Sequence, residues 1–237
     1  MKQTVSFLKH IKSRDSYGDI SYKDLLQDTA IHVICMVNPD GVSISQQGLD
    51  GVQTDTVRKN LEQISQMDGA SLSDNDYLEQ WKSNANGVDL NRNFDALWDS
   101  YADPAGHPSA DHYKGTAPGC EVESNALIQL TLQEHFSRTI SYHTQGDVIY
   151  WYFGQEGSLY DQTLSFANTI AAATGYPLDA DYQALDPAGY KDWAILSQGI
   201  PSLTIEVGTG DTPVSPDQFE TIWEENQFVW EEMLKTL

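Results

Sequence analysis

Residues 138–153 read RTISYHTQGDVIYWYF, two runs rich in β-branched and aromatic side chains split by a Gly-containing turn. Such runs read as strands, because stiff side chains pack well on a pleated surface. A third run, PSLTIEV at 201–207, is apolar on both faces and reads as a buried strand. Helical signals lie around them. Ser158 caps a helix through about residue 174, which Gly175 ends with Pro177 just beyond. Residues 119–136 form an amphipathic helix with Glu121 and Glu123 in its first turn, where the macrodipole favours anions. Strands alternating with helices imply an α/β fold: a largely parallel or mixed sheet with helices on both faces.

Toward the N-terminus, residues 1–13 place Val5, Leu8 and Ile11 at helical spacing. The run AIHVICMV at 30–37 predicts another strand, with Cys35 in the core, stopping at the turn signal Asn38-Pro39-Asp40-Gly41. From about 43 to 117 the chain is polar, and only 54–66 look helical. A long irregular stretch inside a compact domain is usually functional or disordered, and its residues favour the first. Ser215-Pro216 opens a last helix with Phe219, Ile222, Trp223, Trp230 and Leu234 on one face.

A length of 237 residues suits one domain, residues 1–237, and a 40% hydrophobic content suffices for its core. A net charge of −22 argues against binding nucleic acid or an anionic membrane through broad electrostatics. No apolar stretch approaches the ~20 residues of a membrane helix. The opening MKQTVSFLKHIKSR lacks an apolar core followed by a cleavage site, so no signal peptide is expected and the compartment is left unassigned. Two cysteines are too few for a disulfide framework, and Cys120 has no base nearby; both read as structural.

Several polar residues sit where predicted strands end, the usual place for function in α/β sheets. His143 follows the strand RTISY. Glu206 lies inside the apolar run LTIEV, where a carboxylate is costly to bury; it either acts as a base or pairs with a buried cation. Asn91 and Arg92 fall in Gly87-Val88-Asp89-Leu90-Asn91-Arg92-Asn93-Phe94, and Arg supplies a planar fork suited to a carboxylate.

In order, Asn-Pro-Asp-Gly, Gly-Val-Asp-Leu-Asn-Arg-Asn-Phe, Ser-Tyr-His-Thr-Gln-Gly and Thr-Ile-Glu-Val-Gly resemble the zinc carboxypeptidases of the M14 peptidase family. The runs Trp81-Lys82-Ser83-Asn84 and 143–151 look most like its bacterial γ-D-glutamyl-diaminopimelate peptidase branch. The resemblance implies a zinc-carboxypeptidase-like mixed sheet and a hydrolase cutting an amide next to a residue with a free carboxylate, in peptides such as cell-wall stem peptides. By resemblance His143 matches the third zinc ligand, Asn91 and Arg92 the pair gripping the terminal carboxylate, and Glu206 the general base. Tyr182 resembles the tyrosine that closes over substrate, with Tyr190 its competitor. Lys191 aligns with the base of the pocket beyond the cut, suited to a leaving residue carrying a carboxylate. Lys82 stands roughly where the family places an Arg that polarises the scissile carbonyl; the alternative is an ordinary surface lysine.

The resemblance breaks at the His-x-x-Glu motif that supplies the first two zinc ligands. None of His10, His32, His107, His112, His135 and His143 has a Glu three residues on. The fold is therefore expected to be N-terminally truncated, zinc to bind weakly or not at all, and activity to be low. A misassigned start, a degenerate gene and replacement of a ligand by His107 or His112 are the competing explanations. The rivals are a zinc-free pseudo-enzyme that captures peptide carboxylates and a fragment that dimerises through an exposed sheet edge.

Overall fold

The computed structural model describes residues 2–179 and 186–237. In chain order come α1 (Lys2–Ser13), a ribbon of β1 (Ser16–Tyr17) and β2 (Ile20–Ser21), α2 (Tyr22–Leu25), α3 (Pro39–Gln47) and α4 (Asp55–Met67). Then follow α5 (Asn75–Glu79), α6 (Val122–Glu134), β3 (Thr139–His143), β4 (Val148–Tyr150) and α7 (Gly157–Thr174). The chain finishes with α8 (Tyr190–Gln198), β5 (Ser202–Glu206), α9 (Phe219–Asn226) and α10 (Val229–Lys235). These elements gather into two compact units, the first of Met1–Cys35, Ile140–Ala180 and Leu203–Leu237, the second of Met36–Thr139 and Asp181–Ser202. No helix among the described residues is long and apolar enough to cross a membrane.

The first unit is built on a sheet in which β5 runs between β3 and β4. β4 pairs antiparallel with β5, Ile149 opposite Ile205 and Val148 opposite Glu206. Thr139 N–H donates to Pro201 O at 3.1 Å and Val207 N–H to His143 O at 2.9 Å, so β3 and β5 run in the same direction. The sheet is mixed, as its sequence implies. Ile149, Leu203 and Ile205 have no solvent contact and pack with Phe166 and Ile170 of α7 and with Val229 of α10. Each fully buried aliphatic side chain there contributes roughly 1.5–3 kcal/mol. α7 ends where Gly175 takes φ 78°, a conformation open to glycine without strain.

In the second unit Ile44, Leu61, Ile64, Leu78 and Trp81 form the core under α3, α4 and α5. Much of its backbone is irregular, and buried side-chain amides satisfy it in place of a ladder. Asn93 donates to Lys114 O at 2.8 Å and Ala117 O at 3.1 Å while accepting from Ser124 Oγ at 2.6 Å. Asn84 Oδ1 accepts from the N–H groups of Asn86 and Val88 at 3.0 and 3.1 Å.

The structure corrects several expectations. Residues 30–37 form no strand: Val33, Ile34, Met36 and Val37 are exposed, and so is Cys35. A two-faced apolar strand needs neighbours on both edges, and no strand among the described residues pairs with this one. Cys120 is exposed as well. Asn38-Pro39-Asp40-Gly41 starts a helix instead of a turn, with Asn38 the cap and Pro39 at its first position. α1 buries Phe7, leaving Val5 and Leu8 exposed. The last helix is two, broken at residues 227–228, with Phe219 exposed.

Asn38 accepts from Gly41 N–H at 2.9 Å and donates to the carbonyls of Lys82 and Ser83 at 3.0 Å each. Asn38→Ala removes a cap and orphans two carbonyls, so urea unfolding should report a loss of about 1–2 kcal/mol. An unchanged midpoint would show that the cap holds nothing in place.

Candidate functional site

His143 and Glu206 end neighbouring strands of the first unit. Val207 N–H bonded to His143 O sets His143 level with Glu206 in the parallel register, so both side chains project from the same face of the sheet. Beyond them the chain turns back on itself. Gly146 N–H donates to Gly208 O at 2.7 Å, and Gly208 N–H to Asp147 Oδ1 at 2.6 Å. Both His143 and Glu206 are half-buried at the carboxyl ends of strands, the position where open α/β sheets place function.

The second unit carries Lys82, Asn91, Arg92 and Lys191. Asp89, with 1% of its surface exposed, organises the first three. Its Oδ1 accepts from Asn91 N–H at 3.0 Å, capping a 3₁₀ turn over Leu90–Arg92. Its Oδ2 lies 2.9 Å from Lys82 Nζ, and Lys82 also meets Asp111 at 3.2 Å. Burial disfavours the Asp89 carboxylate, but Lys82 and Arg92 outweigh that and hold its pKa below the ordinary value. Burial likewise opposes the Lys82 charge, and Asp89 and Asp111 overcome it, raising that pKa.

Arg92 is buried, with Nη1 donating to Asn91 O at 2.8 Å and the guanidinium 5.1 Å from the Tyr101 ring centroid. Nη2 is ion-paired with Asp186, and Nε is buried without a hydrogen-bond partner. Asn91 Oδ1 accepts from Tyr190 N–H at 3.2 Å, which fixes the start of α8 beside the 3₁₀ turn. Lys191 is buried and ion-paired with Asp192, whose Oδ2 accepts from Gly189 N–H at 3.1 Å. Tyr190 is an anchor: its hydroxyl bonds Thr131 at 2.9 Å and its ring packs against Phe94 at 5.4 Å. Tyr182 lies outside the described residues.

Sequence reading singled out Asn91 and Arg92 but not Asp89, Tyr101 or Asp186. Asp89 stood inside the same motif, and the mark of a buried carboxylate was the apolar pair Val88 and Leu90 around it. Asp186 carried only the turn signal of Asp186-Pro187-Ala188-Gly189, which says nothing of an arginine 94 residues away.

Residues 14–229 match the zinc carboxypeptidase family, peptidase M14. The chain belongs to that family. It is 32% identical over 221 residues to gamma-D-glutamyl-L-diamino acid endopeptidase 1 of Lysinibacillus sphaericus, an overlap covering 92% of this chain and 52% of that protein. A Bacillus subtilis protein, YqgT, is 29% identical over 201 residues, covering 84% of this chain and 50% of its own. The chain thus spans about half the length of both relatives. Carboxypeptidase A of Helicoverpa armigera shares the fold, with a TM-score of 0.50 and 21% identity over 63% of this chain and 40% of the other.

The family's enzymes use zinc, and a catalytic zinc takes three protein ligands. Among the described residues, His143 is not part of any cluster of three ligating groups. Asp89, Asp111 and His112 do cluster, but the Lys82 ammonium already sits against both carboxylates. His107 bonds Pro108 O at 2.9 Å, and His112 lies 3.3 Å from Asp111. Among the described residues, no set of donors fits a catalytic zinc.

Lys82→Met leaves Asp89 buried with less compensation. With the Lys82 side chain 41% exposed, screening limits the loss to about 2 kcal/mol at neutral pH. A depressed carboxylate pKa stabilises above the unfolded value of about 3.9 and loses that contribution as pH falls through the folded value. Without Lys82 the folded pKa rises, so acid unfolding of the variant should begin at higher pH than in wild type. Coincident acid transitions would mean that Lys82 does not compensate Asp89.

Proposed function

We propose that this chain recognises peptides by a free carboxylate and works within an amide hydrolase of carboxypeptidase type directed at cell-wall stem peptides. Arg92 carries the reading: a buried guanidinium with an unbonded Nε is costly unless a ligand completes it. Likeness to an endopeptidase whose name specifies a γ-D-glutamyl-L-diamino acid supports a γ-D-Glu-diaminopimelate bond as the amide cut.

In this reading Asn91 and Arg92 hold the carboxylate, Tyr182 covers the substrate, and Lys191 favours a leaving residue that carries a second carboxylate. Glu206 accepts the proton of the attacking water and returns it to the leaving amine, a role helped by its half-buried position. By family resemblance His143 stands at a metal-ligand position, and among the described residues no second and third donor join it. Lys82 could set its charge near the scissile carbonyl only by leaving Asp89 and Asp111. A second reading, capture of peptides without hydrolysis, is supported by a donor set that, among the described residues, does not complete a zinc site.

Arg92→Gln should weaken calorimetric binding of γ-D-Glu-diaminopimelate at least about thirtyfold, the cost of deleting one partner of a buried charge pair. Full affinity in that variant would sink both readings. Metal analysis separates them: stoichiometric zinc with hydrolysis supports the enzyme, and peptide binding without zinc supports capture. Lys191→Ala should bring the affinities for γ-D-Glu-diaminopimelate and γ-D-Glu-Lys together. If wild type already binds the two alike, Lys191 has no part in selection.

A further inference from the structure

The ion pair on Arg92 is lopsided. Arg92 is 7% exposed and fixed by its own turn and by the Tyr101 ring. Asp186, its partner, has a side chain 65% exposed. The backbone beside Asp186 is pinned nonetheless: Phe94 N–H donates to Ala188 O at 3.0 Å and Ala188 N–H to Ala96 O at 2.9 Å. Held two residues from that anchor, the Asp186 carboxylate rests against Nη2.

Nε–H and Nη2–H point the same way along one edge of a guanidinium, and a carboxylate that faces this edge squarely bonds both. Asp186 bonds Nη2 alone, and Nε is left buried without a partner. An internal carboxylate therefore holds the Nη2 that an incoming carboxylate needs in order to bond Nε and Nη2 together.

We infer that Asp186 is a specificity-determining residue of the carboxylate clamp: it occupies Nη2 until a ligand carboxylate that engages both Nε and Nη2 displaces it. The inference rests on Arg92 being the clamp. Its consequence is discrimination by geometry as well as charge. A ligand carboxylate that reaches one donor only exchanges one ion pair for an equivalent one and gains little. One that spans the edge gains the second charge-assisted bond and relieves the orphaned Nε. A neutral acceptor can bond Nε but brings no charge with which to displace Asp186.

The test is calorimetric titration of γ-D-Glu-diaminopimelate, and of the same dipeptide with its C-terminal carboxylate amidated, into wild type, Asp186→Asn, Asp186→Ser and Arg92→Gln. Removing the competing charge should tighten binding of the free carboxylate about fivefold in both Asp186 variants, the size of a part-exposed ion pair. Binding of the amide should stay unchanged. Unchanged or weaker binding of the free carboxylate in both Asp186 variants, with Arg92→Gln still impaired, overturns the inference alone and makes Asp186 a support for Arg92 or a bystander. Equal affinities of wild type and Arg92→Gln, including no binding by either, overturn the clamp and the inference together.

Discussion

A carboxylate with almost no solvent contact shapes the second unit. Asp89 is ionised inside the protein only because Lys82 and Arg92 lie around it and the Asn91 N–H bonds its other oxygen. Those contacts tie the 3₁₀ turn of Leu90–Arg92 to the Trp81-Lys82 segment, and through the turn they set where the Arg92 guanidinium lies. Asn91, turned the other way, bonds the start of α8. One buried charge thus fixes the frame in which a second, incompletely bonded charge waits.

The first unit uses a different constraint. Its sheet aligns β3 and β5 so that His143 stands level with Glu206, and a slip of one residue would send one of the two side chains to the other face. That register is held by apolar packing of Ile149, Leu203 and Ile205 against α7, far more area than any polar contact supplies. Where the packing is dense the polar residues at the strand ends inherit fixed positions. The exposed run 30–37 shows the converse: strong β propensity alone does not make a strand.

Belonging to a family and completing a metal site are separate requirements. The match runs from residue 14 to 229, and the motifs at 38–41, 87–94, 141–146 and 204–208 stand in order. Yet the donor set around His143 falls short of three ligands among the described residues, and the acidic cluster elsewhere already holds an ammonium between its two carboxylates. Recognition of a carboxylate needs one well-placed guanidinium, whereas activation of water by a metal needs several ligands converging on one point. The first requirement is local and the second is not.

By itself the sequence determined the elements whose pattern is strong and local: α4, α6, α7 with its Gly175 stop, and the strands β3 and β5. Apolar periodicity and capping residues act within a few positions, so they are legible without a partner. The order of the motifs also identified the family. Tertiary structure decided that Pro39 begins a helix, that 30–37 lies exposed, that Lys82 serves Asp89, and that Asp186 reaches Arg92 across 94 positions. Each of those depends on which distant backbone or charge is brought alongside. A side chain's chemistry states what it can bond, and only the folded chain supplies the partner.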